Sequence, residues 1–214
     1  MKRAVLITLA FFFFLPSIAF AGPLDGIADA VGGTASAIGD SVGKTYDSVT
    51  GKRTPDIVRN EMDQEERKAL GKLFQQQPAA KRLFDQSYGY AVFDSSKKGL
   101  LISSASGVGV AVTKGSGQRE YMRMASLGAN LGGGIQYYNV VFLFENQATM
   151  RSFVEKGWEA SGGGSAVFGK DAVNADVKFV AGKAIFILND TGLMLGADIS
   201  GTKYWRDSKL NGKG

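Results

Sequence analysis

From Tyr88 onward, the chain is a series of short runs rich in β-branched and aromatic residues, separated by Gly, Asn and Asp. Such runs are typical of strands, and the residues between them are typical of turns. The candidate strands are residues 88–94, 100–105, 108–113, 119–129, 135–144, 173–180, 184–188, 193–199 and 202–205. This pattern predicts an α+β fold in which residues 88–206 form a twisted antiparallel sheet or partial barrel with flanking helices.

Two of these runs predict their own place in the sheet. Residues 140–144 are apolar on both faces and predict a central strand. In residues 108–113, valines alternate with Gly109 and Ala111, which predicts one packed face and one face cleared for close approach of backbone or ligand. After the central strand, Asn146 is a predicted cap for a helix over residues 147–156.

A helical region, residues 55–87, is predicted before the strands. Pro55 suits a helix start, and Asp63 has the features of a second cap because acidic residues follow it. After Pro78, a short helix carrying Leu83 and Phe84 is expected to lead into the first strand. At the other end of the chain, residues 207–214 are predicted to form a basic, flexible tail.

The N-terminus has the form of a cleavable secretory signal. Lys2-Arg3 precede an apolar run over residues 4–15, and Ala19-Phe20-Ala21 is a small-x-small cleavage pattern. Pro16 interrupts the apolar stretch, which is shorter than the about 20 residues that span hydrocarbon. We therefore expect residues 1–21 to be removed after Ala21 and the mature chain to be periplasmic or secreted.

A glycine-rich lead segment, residues 22–54, follows the signal. Apolar residues recur there at gaps of three and four, which predicts a narrow apolar stripe along a helix. The stripe includes Leu24, Val31, Ile38, Val42 and Val49. Each internal glycine costs about 0.8–1 kcal/mol relative to alanine, so we expect helix only against a surface or partner. A membrane-surface helix, which would also allow homo-oligomers, and a flexible tether both remain open.

Cys and His are both absent from the chain. The absence of Cys excludes disulfides and thiolate nucleophiles, and the absence of His excludes the Ser-His-acid triad and the usual zinc sites. Since no carboxylate spacing supports catalysis or metal binding, we expect a protein that is not an enzyme and that has no cofactor. Loss of the signal changes the balance from 25 basic and 20 acidic residues to 23 and 20, which does not favour a nucleic-acid partner.

Three glycine-containing motifs resemble phosphate-binding loops without completing one. Residues 39–45, GDSVGKT, have one residue too few between their glycines for a P-loop, and no apolar strand precedes them. The triplets at 132–134 and 162–164 lack a dinucleotide fingerprint and favour turns or bulges. The second triplet, close to Trp158, would suit the border of an apolar ligand site, although a purely structural role is the favoured interpretation.

Nine residues of the β-rich domain are candidate lipid-binding residues. They are Lys97 and Lys98 in a predicted turn, Lys114, Arg119 and Arg123, and then Lys203, Tyr204, Trp205 and Arg206 near the end. Amphipathic aromatic residues next to cations favour a headgroup interface. Four such cations would contribute about 4 kcal/mol at an anionic surface, which suffices for weak, reversible attachment. The alternative interpretation is that these charges are simply solvated.

Several blocks of the sequence resemble the SYLF domain. They are GYAVF (89–93), KGLLI (98–102), SGVGV (106–110), SLGANLGGG (126–134), VVFLF (140–144), the helix with Met150, Arg151 and Phe153, and GLMLGADISGT (192–202). The similarity covers about residues 60–205. It implies a phospholipid-binding module that brings no catalytic residues with it.

Two hypotheses of different classes follow from these patterns. The first is an exported, non-enzymatic protein that binds anionic phospholipid through a basic, aromatic-bearing rim of a SYLF-like domain and stays peripheral to the membrane. The second is a structural envelope protein whose lead segment and domain contact other proteins. Nucleotide hydrolysis through Lys44 and Thr45 is disfavoured by the incomplete loop.

Overall fold

The computed structural model describes residues 54–98, 104–127, 136–160, 177–194, 199 and 201–212. The predicted signal, nearly all of the lead segment with its apolar stripe, the GDSVGKT motif and both glycine triplets lie outside the described residues. In the described ranges, no helix has the length and apolar character of a membrane span.

The described strands form one curled, antiparallel sheet, a half-barrel of eight strands at the centre of the fold. Its strands are β1 (Gly89–Lys98), β2 (Ser104–Thr113), β3 (Arg119–Leu127), β4 (Gln136–Phe144), β5 (Trp158–Glu159), β6 (Lys183–Asn189), β7 (Gly192–Leu193) and β8 (Thr202–Arg206). Their order across the sheet is β5-β8-β3-β2-β1-β4-β6-β7. The predicted β-rich α+β class is confirmed, and so is the central position of residues 140–144, which are fully buried in β4.

In the described parts of the chain, three helices flank the sheet: α1 (Pro55–Gln76), α2 (Pro78–Gln86) and α3 (Gln147–Lys156). The predicted cap of α3 is confirmed, because Asn146 Oδ1 accepts a hydrogen bond from the backbone N–H of Thr149 at 3.0 Å. The predicted cap at Asp63 is wrong, since this residue lies inside α1. Its carboxylate accepts hydrogen bonds from Arg119 and Tyr121 instead.

The ladder between β1 and β2 is longer than predicted. Lys97 and Lys98 continue β1 instead of forming a turn, and β2 runs without a break through Gly107, where two separate strands were predicted. Position 107 requires glycine because the backbone of Asp94 approaches closely. A Cβ at this position would lie 2.2 Å from the Asp94 carbonyl oxygen. At Gly109, the predicted cleared space is filled by the ring of Phe93.

The later strands depart further from prediction. Of predicted strand 193–199, only β7 is observed, and residues 195–198 lie outside the described ranges. The described part of predicted strand 173–180 contributes a single bridge, between Val180 and Lys183. The two-residue strand β5 was not predicted because it is too short to show a pattern.

Both faces of the sheet are buried. The face here called the helical face packs against α1 and α2, and its core includes Leu70, Leu73, Tyr90, Val92, Val110, Tyr121, Val141 and Phe186. The opposite face, here called the aromatic face, packs against α3, and its core includes Phe93, Met122, Met124, Phe142, Phe144, Phe153 and Tyr204.

The segment that follows β8 packs on the sheet as well. Leu210 is buried in the helical-face core. Asn211 Nδ2 donates to the Tyr121 carbonyl oxygen at 2.8 Å, and Asp207 pairs with Arg123. The prediction of a flexible tail is therefore wrong for residues 207–212, because one apolar and two polar side chains fix them to β3.

Candidate functional site

The nine predicted lipid-binding residues are not brought together in one place. Lys97, Lys98 and Lys203 belong to the end of the sheet where β1 finishes and β8 begins. Lys114, Arg119 and Arg206 belong to the opposite end, while Arg123 and Trp205 face each other in register between the two ends. A single basic rim containing all nine is therefore excluded by the strand register.

All three arginines of the set are paired with carboxylates. The pairs are Arg119 with Asp63 and Glu66, Arg123 with Asp207, and Arg206 with Glu120. Although partial burial lowers the pKa of Arg119, the hydrogen bond and the charges of Glu66 and Asp63 raise it further than burial lowers it. Cations already neutralised in this way have little charge to offer a phosphate. Arg119 holds α1 on the sheet, Arg123 holds the C-terminal turn, and Arg206 links β8 to β3.

Lys114 also makes structural contacts. Its Nζ donates to the carbonyl oxygens of Phe84 at 2.5 Å, Asp85 at 3.1 Å and Ser87 at 3.2 Å, and it lies 4.6 Å from the centre of the Phe84 ring. Carbonyls at the end of a helix lack intrahelical partners, and a lysine there satisfies them. Lys114 therefore caps the end of α2.

The predicted aromatic pair on β8 is divided between the two faces of the sheet. Tyr204 is fully buried in the aromatic face, so its predicted place at an exposed headgroup interface is wrong. The alternation of a strand turns its neighbours the other way, and Lys203 and Trp205 are both half-buried. Among the described residues, Lys203 makes no ion pair.

An exposed ring that was not predicted as a site residue lies at the end of the sheet that carries Lys97 and Lys98. Tyr137 is 61% exposed and pairs in register with Ser96, one residue before Lys97. The adjacent Tyr138 is buried. The Tyr-Tyr dipeptide in a strand was the available signal, because alternation must turn one ring outward. We call Lys97, Lys98, Tyr137 and Lys203 the basic end.

The aromatic face forms a continuous cluster of rings around Phe142. Its centroid lies 4.9 Å from that of Phe153, 5.0 Å from Tyr204, 5.5 Å from Trp158, 5.9 Å from Phe93 and 6.1 Å from Phe144. Trp158, whose neighbourhood the sequence marked for an apolar ligand, is half-buried at the edge of this cluster. The cluster is a large apolar surface of the kind that acyl chains or aromatic groups contact.

Three hydroxyl groups are buried at this face without a partner among the residues that the structure describes. Ser126, Thr202 and Tyr204 are at most 3% exposed, and none of their hydroxyls makes a hydrogen bond within the described ranges. Ser126 and Thr202 lie directly opposite each other in register, and Tyr204 follows Thr202 by two residues on the same face. We call these three residues the hydroxyl trio. No sequence pattern marks them, because their unpaired state depends on neighbours distant in the chain.

A shallow cavity of about 360 Å³ opens between α3 and the start of β6. It is lined by Ala148, Thr149, Ser152, Phe153, Gly157, Trp158, Ala181 and Lys183. Lys183 Nζ lies 5.6 Å from the centre of the Trp158 ring, and burial lowers the pKa of this lysine. Its described lining residues include no carboxylate. The cavity shares Phe153 and Trp158 with the aromatic face, so it reaches that cluster from solvent.

Comparison with known proteins adds one relationship. No family model matches the chain. The chain is similar to beta cell expansion factor A of Aeromonas veronii. The two are 45% identical over 142 residues, which is 66% of this chain and 54% of beta cell expansion factor A.

The chain thus spans about half the length of this curated relative. Identity this high over 142 residues indicates common descent and a shared fold in the matched part. The name of beta cell expansion factor A describes a role in beta cell expansion, and that role belongs to the relative.

Proposed function

We propose that this protein is an exported, non-enzymatic lipid-binding protein that attaches to anionic phospholipid surfaces through a SYLF-like domain. The sequence supports export through its N-terminal signal, and the sequence blocks that resemble the SYLF domain support the lipid class. The absence of Cys and His supports a role in binding rather than in covalent chemistry.

The observation that carries the proposal is the basic end. Tyr137 exposes its ring beside the strand that finishes with Lys97 and Lys98, while the arginines elsewhere on the sheet have carboxylate partners. Amphipathic rings next to cations are favoured at the boundary of headgroups and acyl chains. Each lysine near an anionic surface contributes about 1 kcal/mol, so attachment should be reversible and should weaken as salt screens the charges.

Vesicle co-sedimentation of the purified protein tests the proposal. We expect binding to phosphatidylglycerol or cardiolipin vesicles at low salt, weaker binding at high salt, and little binding to phosphatidylcholine. The double change Lys97→Gln/Lys98→Gln should weaken binding by about 2 kcal/mol, and Tyr137→Ser should weaken it further by removing the apolar contact.

The matched control removes the same charge away from the basic end. Lys81 and Arg151 are exposed and form local pairs within α2 and α3. The double change Lys81→Gln/Arg151→Gln should leave vesicle binding close to that of the parent. Equal losses in the two double variants would show that only net charge matters, and no binding to anionic vesicles at low salt would reject the proposal.

A further inference from the structure

We propose that the hydroxyl trio is an interior binding site for the carbonyl oxygen of an acyl lipid, whose hydrocarbon chain packs on the aromatic face. The inference rests on the proposed lipid-binding function and specifies a site that is separate from the basic end.

Three unpaired hydroxyls are costly to bury. A buried polar group without a hydrogen bond costs about 1–3 kcal/mol, and most such groups in folded proteins have partners. Another buried hydroxyl of the same face follows this rule: Ser95 donates to the sulfur of Met124 at 2.7 Å. Three exceptions grouped at Ser126, Thr202 and Tyr204 therefore indicate a function that requires free hydroxyls.

The surroundings of the hydroxyl trio determine which group it would bind. Burial and the neighbouring Tyr138 raise the pKa of Tyr204, so its phenol remains neutral at physiological pH. The Tyr204 ring is surrounded by Phe93, Phe142 and Phe153. Neutral hydroxyls in apolar surroundings satisfy an uncharged acceptor well, whereas a phosphate there would lack a compensating cation. An acyl ester or a protonated acid fits this chemistry.

A ligand would reach the hydroxyl trio from solvent along the aromatic face. The cavity between α3 and β6 is bounded by Phe153 and Trp158, and the Trp158 ring centre lies 5.7 Å from that of Tyr204. A chain that enters there contacts the rings next to the trio. Since the chain has only two tryptophans, Trp158 can report on entry once Trp205 is replaced.

The experiment uses the Trp205→Phe protein and three probes with six-carbon chains that dissolve as monomers: glycerol monohexanoate, hexanoic acid and hexane. At about pH 5, where a carboxylic acid is partly protonated, we expect both acyl probes to change Trp158 fluorescence in a saturable way. Tyr204→Phe and Thr202→Val should each weaken acyl binding about fivefold, the value of one lost hydrogen bond, and leave hexane binding unchanged. Tighter binding of the ester would identify a glycerolipid as ligand, and tighter binding of the acid a free fatty acid; either supports the site.

A second measurement guards against loss of folding. Without ligand, the same two changes remove unpaired groups, so each should raise the melting temperature by about 2–4 °C. The matched control is Tyr121→Phe on the helical face, which should lower the melting temperature and keep parental acyl affinity. The inference is overturned if neither acyl probe gives a saturable response, or if both trio variants bind acyl probes as tightly as the parent.

Because these probes are monomers and carry no phosphate, the result does not depend on vesicle attachment. Acyl binding without vesicle binding would reject the surface role of the basic end and keep the interior site. Vesicle binding without acyl binding would do the reverse.

Discussion

The two faces of the sheet bury their tyrosines in different ways. On the helical face, Tyr90 donates to Glu66 at 2.5 Å and Tyr121 donates to Asp63 at 3.1 Å, and Arg119 neutralises both carboxylates. On the aromatic face, the Tyr204 hydroxyl has no partner in the part of the chain that the structure describes. Tyrosine hydroxyls therefore complete a polar network on the helical face, whereas the hydroxyl of Tyr204 on the aromatic face belongs to no such network among the described residues.

This difference separates structural chemistry from binding chemistry. A network whose donors and acceptors are matched fixes α1 on the sheet and leaves nothing for a ligand to satisfy. Unmatched hydroxyls weaken the fold and become favourable only when something binds them. Four of the cations predicted to bind lipid, Lys114, Arg119, Arg123 and Arg206, instead make structural contacts, and the unmatched groups buried on the aromatic face are uncharged.

The largest effect that would test this comparison is expected from Arg119→Leu. Glu66 is only 5% exposed, so loss of the guanidinium leaves a buried carboxylate without its cation. We expect the free energy of unfolding in urea to fall by about 3 kcal/mol, while vesicle binding per folded molecule stays unchanged. Arg151→Leu, which breaks an exposed pair with Glu155, should cost less than about 0.5 kcal/mol. Similar losses in both variants would contradict a matched network at Arg119.

A smaller effect, of opposite sign on the two faces, is expected from removing single phenol oxygens. Tyr90→Phe deprives Glu66 of a donor and should lower the free energy of unfolding by about 1.5 kcal/mol. Tyr204→Phe removes an unpaired group and should raise it by about 1 kcal/mol. Denaturant unfolding of the two variants measures both values. A stabilising Tyr90→Phe or a destabilising Tyr204→Phe would show that the faces do not differ in this way.

The parts of the fold that were predictable depend on local patterns. The cap at Asn146 and the short helix after Pro78 each follow from neighbouring residues, and both were found. Asp63 had an equally good local pattern, but its partner Arg119 is 56 residues away, and that contact uses the carboxylate inside α1. Local chemistry thus suggested a cap that the tertiary contact replaced.

The candidate site was less predictable for the same reason. The alternation of β8 shows that Tyr204 and Trp205 face opposite ways, but not which of the two is buried. That choice follows from Phe93 and Phe142, which lie on β1 and β4 and surround Tyr204. A serine or threonine in a strand has no signature of an unpaired hydroxyl, so Ser126 and Thr202 became visible only once the sheet was assembled.

The smallest effect concerns Asp94, a carboxylate of β1 that lies on the helical face near Glu65 and Lys68 of α1. Loss of surrounding water and the nearby charge of Glu65 raise the pKa of this carboxyl to about 6, with Lys68 opposing the shift. Because the folded-state pKa lies above the ordinary value near 4, the folded state holds this proton more tightly than the unfolded state. The contribution of Asp94 to stability should therefore decline as pH rises from about 4 to about 6, and Asp94→Asn should abolish that decline. Urea unfolding of the parent and of Asp94→Asn across this pH range measures the decline. Parallel pH profiles of the two proteins would show that folding does not raise the pKa of Asp94.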